Sequence, residues 1–111
     1  LDDDHLADLF SGLGPITIRR MFGGKGIYHQ GLIFALDMSD GRIVLKGDAL
    51  NAGDYEAVGC ERWTYQRSGR KPTAMPYWNA LDEAMDDPDA MTPWARSAFA
   101  AALRADEKKR K

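Results

Sequence analysis

Ile16-Thr17-Ile18-Arg19-Arg20-Met21-Phe22, Gly26-Ile27-Tyr28-His29, Leu32-Ile33-Phe34-Ala35-Leu36 and Arg42-Ile43-Val44-Leu45-Lys46 decide the fold of this chain. Each is a short run rich in β-branched, aromatic and other apolar residues. The breaks between them are turn formers, Gly23-Gly24-Lys25-Gly26, His29-Gln30-Gly31 and Ser39-Asp40-Gly41. The last two breaks suit tight hairpins. Parallel neighbours would need a crossover of about a dozen residues or more, so the four runs read as an antiparallel meander. Leu32 to Leu36 is apolar without alternation, which predicts the most buried strand.

On the N-terminal side, Leu6, Leu9, Phe10 and Leu13 recur at helical spacing behind Asp2, Asp3 and Asp4, predicting a helix from about Asp3 to Leu13 that Gly14-Pro15 ends. On the C-terminal side, Asp48 to Gly59 reads as a shorter helix that starts on a capping aspartate. Trp63 to Arg67 and Thr73 to Trp78 form a second hairpin around Ser68-Gly69-Arg70-Lys71, and Pro76 places its second strand at a sheet edge or strand end. Asn79 caps a short helix over Ala80 to Met85. Thr92-Pro93 carries the signature of a helix start, with Ala95, Phe99 and Leu103 on the docking face that follows. The polar end at about 106–111 reads as a frayed basic tail. The expected architecture is α+β in two layers. It has an antiparallel sheet of about six strands, helices on one face, and the order α-ββββ-α-ββ-α, all in one domain over residues 1–111.

The chain has 111 residues, 44% of them hydrophobic, enough for one core without staples. A single cysteine excludes an internal disulfide and suits a reducing compartment. With two histidines beside it, a zinc site built only from His and Cys is excluded as well. The start, Leu1-Asp2-Asp3-Asp4-His5, lacks the features of a signal peptide, and no run is long and apolar enough to span a bilayer. A cytoplasmic protein without membrane contact is expected.

The formal net charge of −2 conceals a division. The helical segments are acidic, whereas the strands and tail are basic, and the stretch from Arg62 to Trp78 holds four cations and no acid. Arg62, Arg67, Arg70 and Lys71 form a candidate interaction surface for phosphate or an acidic protein face. The alternative is a solvated surface whose arginines pair with acids of neighbouring helices.

No catalytic constellation emerges. Gly23-Gly24-Lys25-Gly26 departs from a phosphate loop, because Arg19 stands where the first glycine belongs and Gly26 where Ser or Thr belongs. Its glycines read as supporting positive φ at a strand connection. Cys60 would need His5 or His29 as a base, and reads as a buried small residue. Asp82, Glu83, Asp86, Asp87 and Asp89 read as caps and first-turn acids rather than a cation site. Of the aromatics, Trp63 and Tyr65 share one strand face, as do Met75 and Tyr77. Most of the set, with Trp78 and Trp94, is expected in the core, and an exposed member beside Arg67 and Arg70 would suit base stacking or offer a partner an apolar anchor.

The block Arg19-Arg20-Met21-Phe22-Gly23-Gly24, followed by Gly26, Tyr28, Gly31 and Phe34-Ala35-Leu36, resembles the TfoX N-terminal domain family. Leu45-Lys46, Gly59-Cys60, Thr64-Tyr65, Met75-Pro76-Tyr77-Trp78 and Trp94-Ala95 continue the likeness in order, so it covers essentially the whole chain. The resemblance implies an α+β antiparallel fold and a non-enzymatic role, with no cofactor, in regulators of natural competence that act with the cyclic-AMP receptor protein. A protein partner from the transcription machinery is implied too. Among the matched residues, Arg19, Arg20 and Phe22 are candidate surface contributors; alternation puts the two arginines on opposite faces. The length leaves no room for the second domain of full-length regulators. A nucleic-acid-contacting module using the basic hairpin, a small-molecule site between sheet and helices, and a homodimer through a strand edge remain alternative readings.

Overall fold

A computed structural model describes residues 1–21, 23–66 and 68–110. The elements are α1 (Asp3–Leu9), β1 (Thr17–Met21), β2 (Gly24–His29), β3 (Leu32–Met38), β4 (Ile43–Lys46), α2 (Ala52–Ala57), β5 (Arg62–Tyr65) and β6 (Thr73–Asn79). A one-turn 3-10 helix (Asp82–Ala84) and the long α3 (Pro88–Arg110) complete the chain. This is the expected α+β order. The six strands make one antiparallel sheet, β1-β2-β3-β4-β6-β5.

The helices line one face of that sheet. Leu6, Leu9 and Phe10 of the α1 region, Ile27, Phe34, Ile43, Leu45 and Trp78 of the strands, and Met91, Ala95, Ala98 and Ala102 of α3 form one buried cluster. Tyr55 of α2 is sandwiched between Trp78 and Trp94, with ring centroids 5.5 and 5.6 Å away. Its hydroxyl donates to the Lys46 carbonyl at 2.8 Å. Side chains thus fill the space between sheet and helices that the alternative, small-molecule reading assigns to a pocket.

β3 is more informative than its apolar run suggested. Ile27 pairs with Ala35 and Tyr28 with Ile33, so Phe34 is an extra residue, a β-bulge. Phe34 and Ala35 consequently both enter the core, fully buried, and the alternation restarts one residue later. Beyond the bulge Asp37 faces the helices while Leu36 and Met38 face the other way. The strand is therefore not sealed on both sides.

Several boundaries differ from expectation. α1 ends at Leu9, because Ser11 and Gly12 are poor helix formers and Gly12 packs directly on Thr92. Gly24, Lys25 and Gly26 belong to β2 rather than to a connection. β6 is an interior strand despite Pro76, and β5 is the edge. Pro76 is tolerated because β4 pairs with β6 only from Tyr77 onward and β5 pairing is irregular between Arg62 and Thr64. The missing N–H falls in that gap, while the Pro76 carbonyl accepts from the Gly47 amide at 3.0 Å.

α3 begins at Pro88, not at Thr92-Pro93. Asp87 caps it by accepting from the Asp89 and Ala90 amides at 3.0 and 3.3 Å. Thr92 instead donates back to the Pro88 carbonyl, and Pro93 sits inside the helix. The docking face is Met91, Ala95, Ala98 and Ala102, with Leu103 exposed. The helix extends to Arg110, where a frayed tail was expected, and Arg110 pairs with Asp106 at 3.0 Å.

Candidate interaction surface

The sheet face away from the helices carries the feature that composition did not announce. Register and alternation place Met21, Gly24, Gly26, Tyr28, Ile33, Leu36, Met38, Val44, Trp63, Tyr65, Met75 and Tyr77 there. An antiparallel sheet with one face on a core usually turns a polar face to water. Here no helix covers the second face, which is mostly apolar, with Arg19, Lys46 and Asn79 among its polar residues; Val44 and Tyr77 at its centre are buried by neighbouring side chains, and its margins are open to water.

A groove of about 820 Å³, open along one side, runs across it, with Met21, Ile33, Leu36, Met38, Met75 and Tyr77 among its lining. Two glycines hollow its floor. A Cβ on Gly24 would overlap the Asp37 carbonyl, and one on Gly26 would stand 2.6 Å from Met21 Sδ and 3.1 Å from Ile33 Cδ1. Close approach, rather than positive φ, is what β2 asks of Gly26; Gly23, at φ 74°, does turn the chain left-handed.

Trp63 stacks edge-on against both Tyr65 and Tyr77 at 6.3 Å, so the aromatic wall of the groove is built across β5 and β6. Tyr77 is deeply buried within this wall. Burial, and to a lesser extent the neighbouring Tyr28 phenol, pushes its pKa up to about 12. Tyr65 and Met21 remain about half exposed, at 49% and 47%. The aromatics thus divide: Trp78 and Trp94 join Tyr55 in the helix-side core, while Trp63, Tyr65 and Tyr77 form the other face.

Charge on the sheet follows the same division. Asp37 is the sole carboxylate in the described strands, and it faces the helices, 3.3 Å from the Leu1 amine. Lys25 is committed to Asp3 at 3.0 Å and to the Leu1 carbonyl at 2.9 Å. Arg19 lies over the Tyr28 ring at 5.3 Å on the uncovered face, whereas Arg20, opposite Lys25, starts on the helix side and reaches the groove only at its rim, from the edge strand β1. Neither has an ion-pair partner among the described residues.

Among the described residues, the basic side chains singled out from the sequence differ in setting. Arg62 lies over the Trp78 ring at 4.8 Å and donates to the Met75 carbonyl at 2.8 Å, on the opposite side of β5 from Trp63. Arg70 and Lys71 are exposed in the β5–β6 connection. Arg67 and Phe22 lie outside the described residues. Within the motif block, Met21 and Gly24 shape the start of the groove, and Tyr77 and Trp78 point to opposite faces, groove and core.

Cys60 is buried, and burial, reinforced by Asp82, pushes its thiol pKa up, the reverse of nucleophile activation. His29 is held between the Pro15 carbonyl, to which its Nδ1–H donates at 2.6 Å, and the Phe99 ring. Among the described residues no three His, Cys, Asp or Glu side chains gather to hold a metal, and no helix is long and apolar enough to cross a membrane. Sequence reasoning missed the groove because its lining is split over five strands. The Met21-Met38-Met75 set was the available signal, three of the five methionines in the chain.

Comparison with known proteins bears on what such a surface serves. Residues 8–102 match the TfoX N-terminal domain. The DNA transformation protein TfoX1 of Aliivibrio fischeri is 32% identical over 69 residues, a match covering 59% of this chain and 32% of that relative. The chain thus aligns with about a third of the curated relative's length. With the family match running from α1 into α3, through every strand of the grooved sheet, the chain belongs to the TfoX N-terminal domain family.

Proposed function

We propose that this domain is a non-enzymatic regulatory module that acts by protein contact in the control of DNA uptake. The observation that carries this reading is the uncovered apolar sheet face, with its groove of about 820 Å³. An apolar patch of this kind on a water-exposed surface is characteristic of an interaction site. The relative's role in DNA transformation supplies the regulatory setting. The buried, deactivated Cys60 and the core-bound His29 favour contact over chemistry.

Deletion of the gene in its host tests the proposal. Transcripts of DNA-uptake genes should change, and should be restored by the wild-type chain but not by a folded Leu36→Lys or Met75→Glu variant. Transcripts that ignore the deletion, or that both variants restore fully, would overturn it. Salt-sensitive DNA binding abolished by Arg70→Ala plus Lys71→Ala, with the groove variants inert, would shift the reading to nucleic-acid contact.

A further inference from the structure

The occupant of the groove can be inferred from its shape and charge. From β1 to β5 the sheet spans five inter-strand steps, roughly 24 Å at about 4.8 Å each. An α-helix laid along that line, rising about 1.5 Å per residue, would cover it with about four turns. The groove is open along one side, whereas ligand sites usually enclose about 70–90% of their occupant. The open side argues for a macromolecular element.

Charge selects among such elements. The strand carboxylate Asp37 faces away, the uncovered side carries Arg19, and Arg20, opposite Lys25 on the helix side of the edge strand β1, reaches the rim of the groove; Arg70 and Lys71 are exposed in the β5–β6 connection. A second copy of this face would bring the same cations and no acid to meet them. An acidic partner meets both the apolar floor and the cationic border. The methionines add adaptability, since Met21, Met38 and Met75 can repack around side chains of different shape.

Resting on the reading of the domain as an interaction module, we infer that this sheet face receives an amphipathic helix of a partner protein, whose apolar stripe lies in the groove and whose flanking residues are acidic. Leu36, Ile33 and Met75 contact the stripe. Arg19 and Arg20 meet the carboxylates on the β1 side. Recognition is by helix in groove, with apolar anchors at i, i+3, i+4 and i+7.

Two synthetic peptides test the inference. Each is about 16 residues long with a leucine stripe at helical spacing, one flanked by glutamates and the other by lysines. The protein carries methyl-labelled methionine. The acidic peptide should shift the methyl signals of Met21, Met38 and Met75 and leave core-buried Met91 in place. Leu36→Lys and, independently, Met75→Glu should weaken its binding by about tenfold or more, with thermal melts confirming that both variants fold. Arg19→Glu plus Arg20→Glu should weaken the acidic peptide and strengthen the basic one.

Equal binding of the two peptides, shifts confined to Met85 and Met91, or no methyl shift at all would overturn the inference. A concentration-dependent dimer that protects the three groove methyls would overturn it in favour of a second copy. Failure of peptide binding beside groove-dependent transcripts in the host would remove the acidic helix and leave the proposed regulatory module standing. The converse result would separate them the other way.

Discussion

Arg104 grips Asp48 through two nitrogens, Nε to Oδ2 at 2.6 Å and Nη2 to Oδ1 at 2.9 Å, and so fastens the C-terminal half of α3 to the turn that opens α2. The same carboxylate accepts the Leu50 and Asn51 amides, at 3.0 and 3.3 Å. The guanidinium, helped by those amides, holds the Asp48 carboxyl below its ordinary 3.8. A depressed acid pKa in the folded state stabilises above the unfolded value and loses that contribution as pH falls. Both side chains are about a third exposed, so Arg104→Met should cost only about 0.5–1 kcal/mol at neutral pH. The gap between wild type and variant should close as pH drops below about 4, measured by urea unfolding across a pH series.

Tyr55→Phe keeps the stack on Trp78 and Trp94 and removes the hydroxyl that donates to Lys46. The Lys46 carbonyl retains only the longer Asn51 amide contact at 3.4 Å. The expected loss is about 1 kcal/mol, against about 3–5 kcal/mol for Tyr55→Ala, which empties the sandwich. Chemical denaturation of the two variants separates the polar contribution from the packing one.

Gly24→Ala places a methyl group against the Asp37 backbone carbonyl, where no side chain can yield. A destabilisation of about 1–3 kcal/mol is expected. Gly23→Ala meets no neighbour but is held at φ 74°, and should cost about 1 kcal/mol from backbone strain alone. Thermal melts of the pair distinguish crowding from conformation at adjacent glycines.

Phe34→Ala and Met21→Lys test the two faces of the sheet. Phe34 is fully buried and packs edge-on against Phe10 at 5.2 Å, so its truncation should cost about 3–5 kcal/mol. Met21 already borders water, and lysine there should change stability by about 0.5 kcal/mol or less. A comparable loss at both positions would show the uncovered face to be part of the stabilising core.

Cys60 should resist alkylation. With its pKa raised by burial and by Asp82, the thiolate is scarce at neutral pH and sterically screened. Labelling by a thiol reagent should run at least about tenfold slower than with a free cysteine, and should accelerate on denaturation.

The meander, the second hairpin and the acidic helices were legible because each is a local pattern: period two between turn residues, or apolar residues at helical spacing. Thr92-Pro93 misled because the same signature occurs at Asp87-Pro88, and only the Asp87 cap and the Thr92 bond to Pro88 decide between them. Pro76 misled because its effect depends on where two partner strands stop pairing. The candidate surface was the least legible. Its residues are ordinary apolar strand positions, and whether a face is covered depends on where three helices pack. Of the basic cluster read from sequence proximity, Arg62 is drawn to the helix side over Trp78, while Arg70 and Lys71 stay exposed in the β5–β6 connection.

The extra residue at Phe34 works as a phase shift in the strand's two-residue rhythm. Upstream of it, even-numbered side chains of β3 face the helices; downstream, odd-numbered ones do. Were the strand to straighten without losing a residue, Leu36, Asp37 and Met38 would exchange destinations, sending a carboxylate into the groove and a leucine and a methionine into the helix layer. Deletion of Phe34 itself would leave all three in place, because Ile33 and Ala35 would then follow one another in register with Tyr28 and Ile27. The bulge therefore adds one aromatic ring to the helix-side core while leaving the partner-facing surface unaltered, so that packing and recognition can change independently along a single strand.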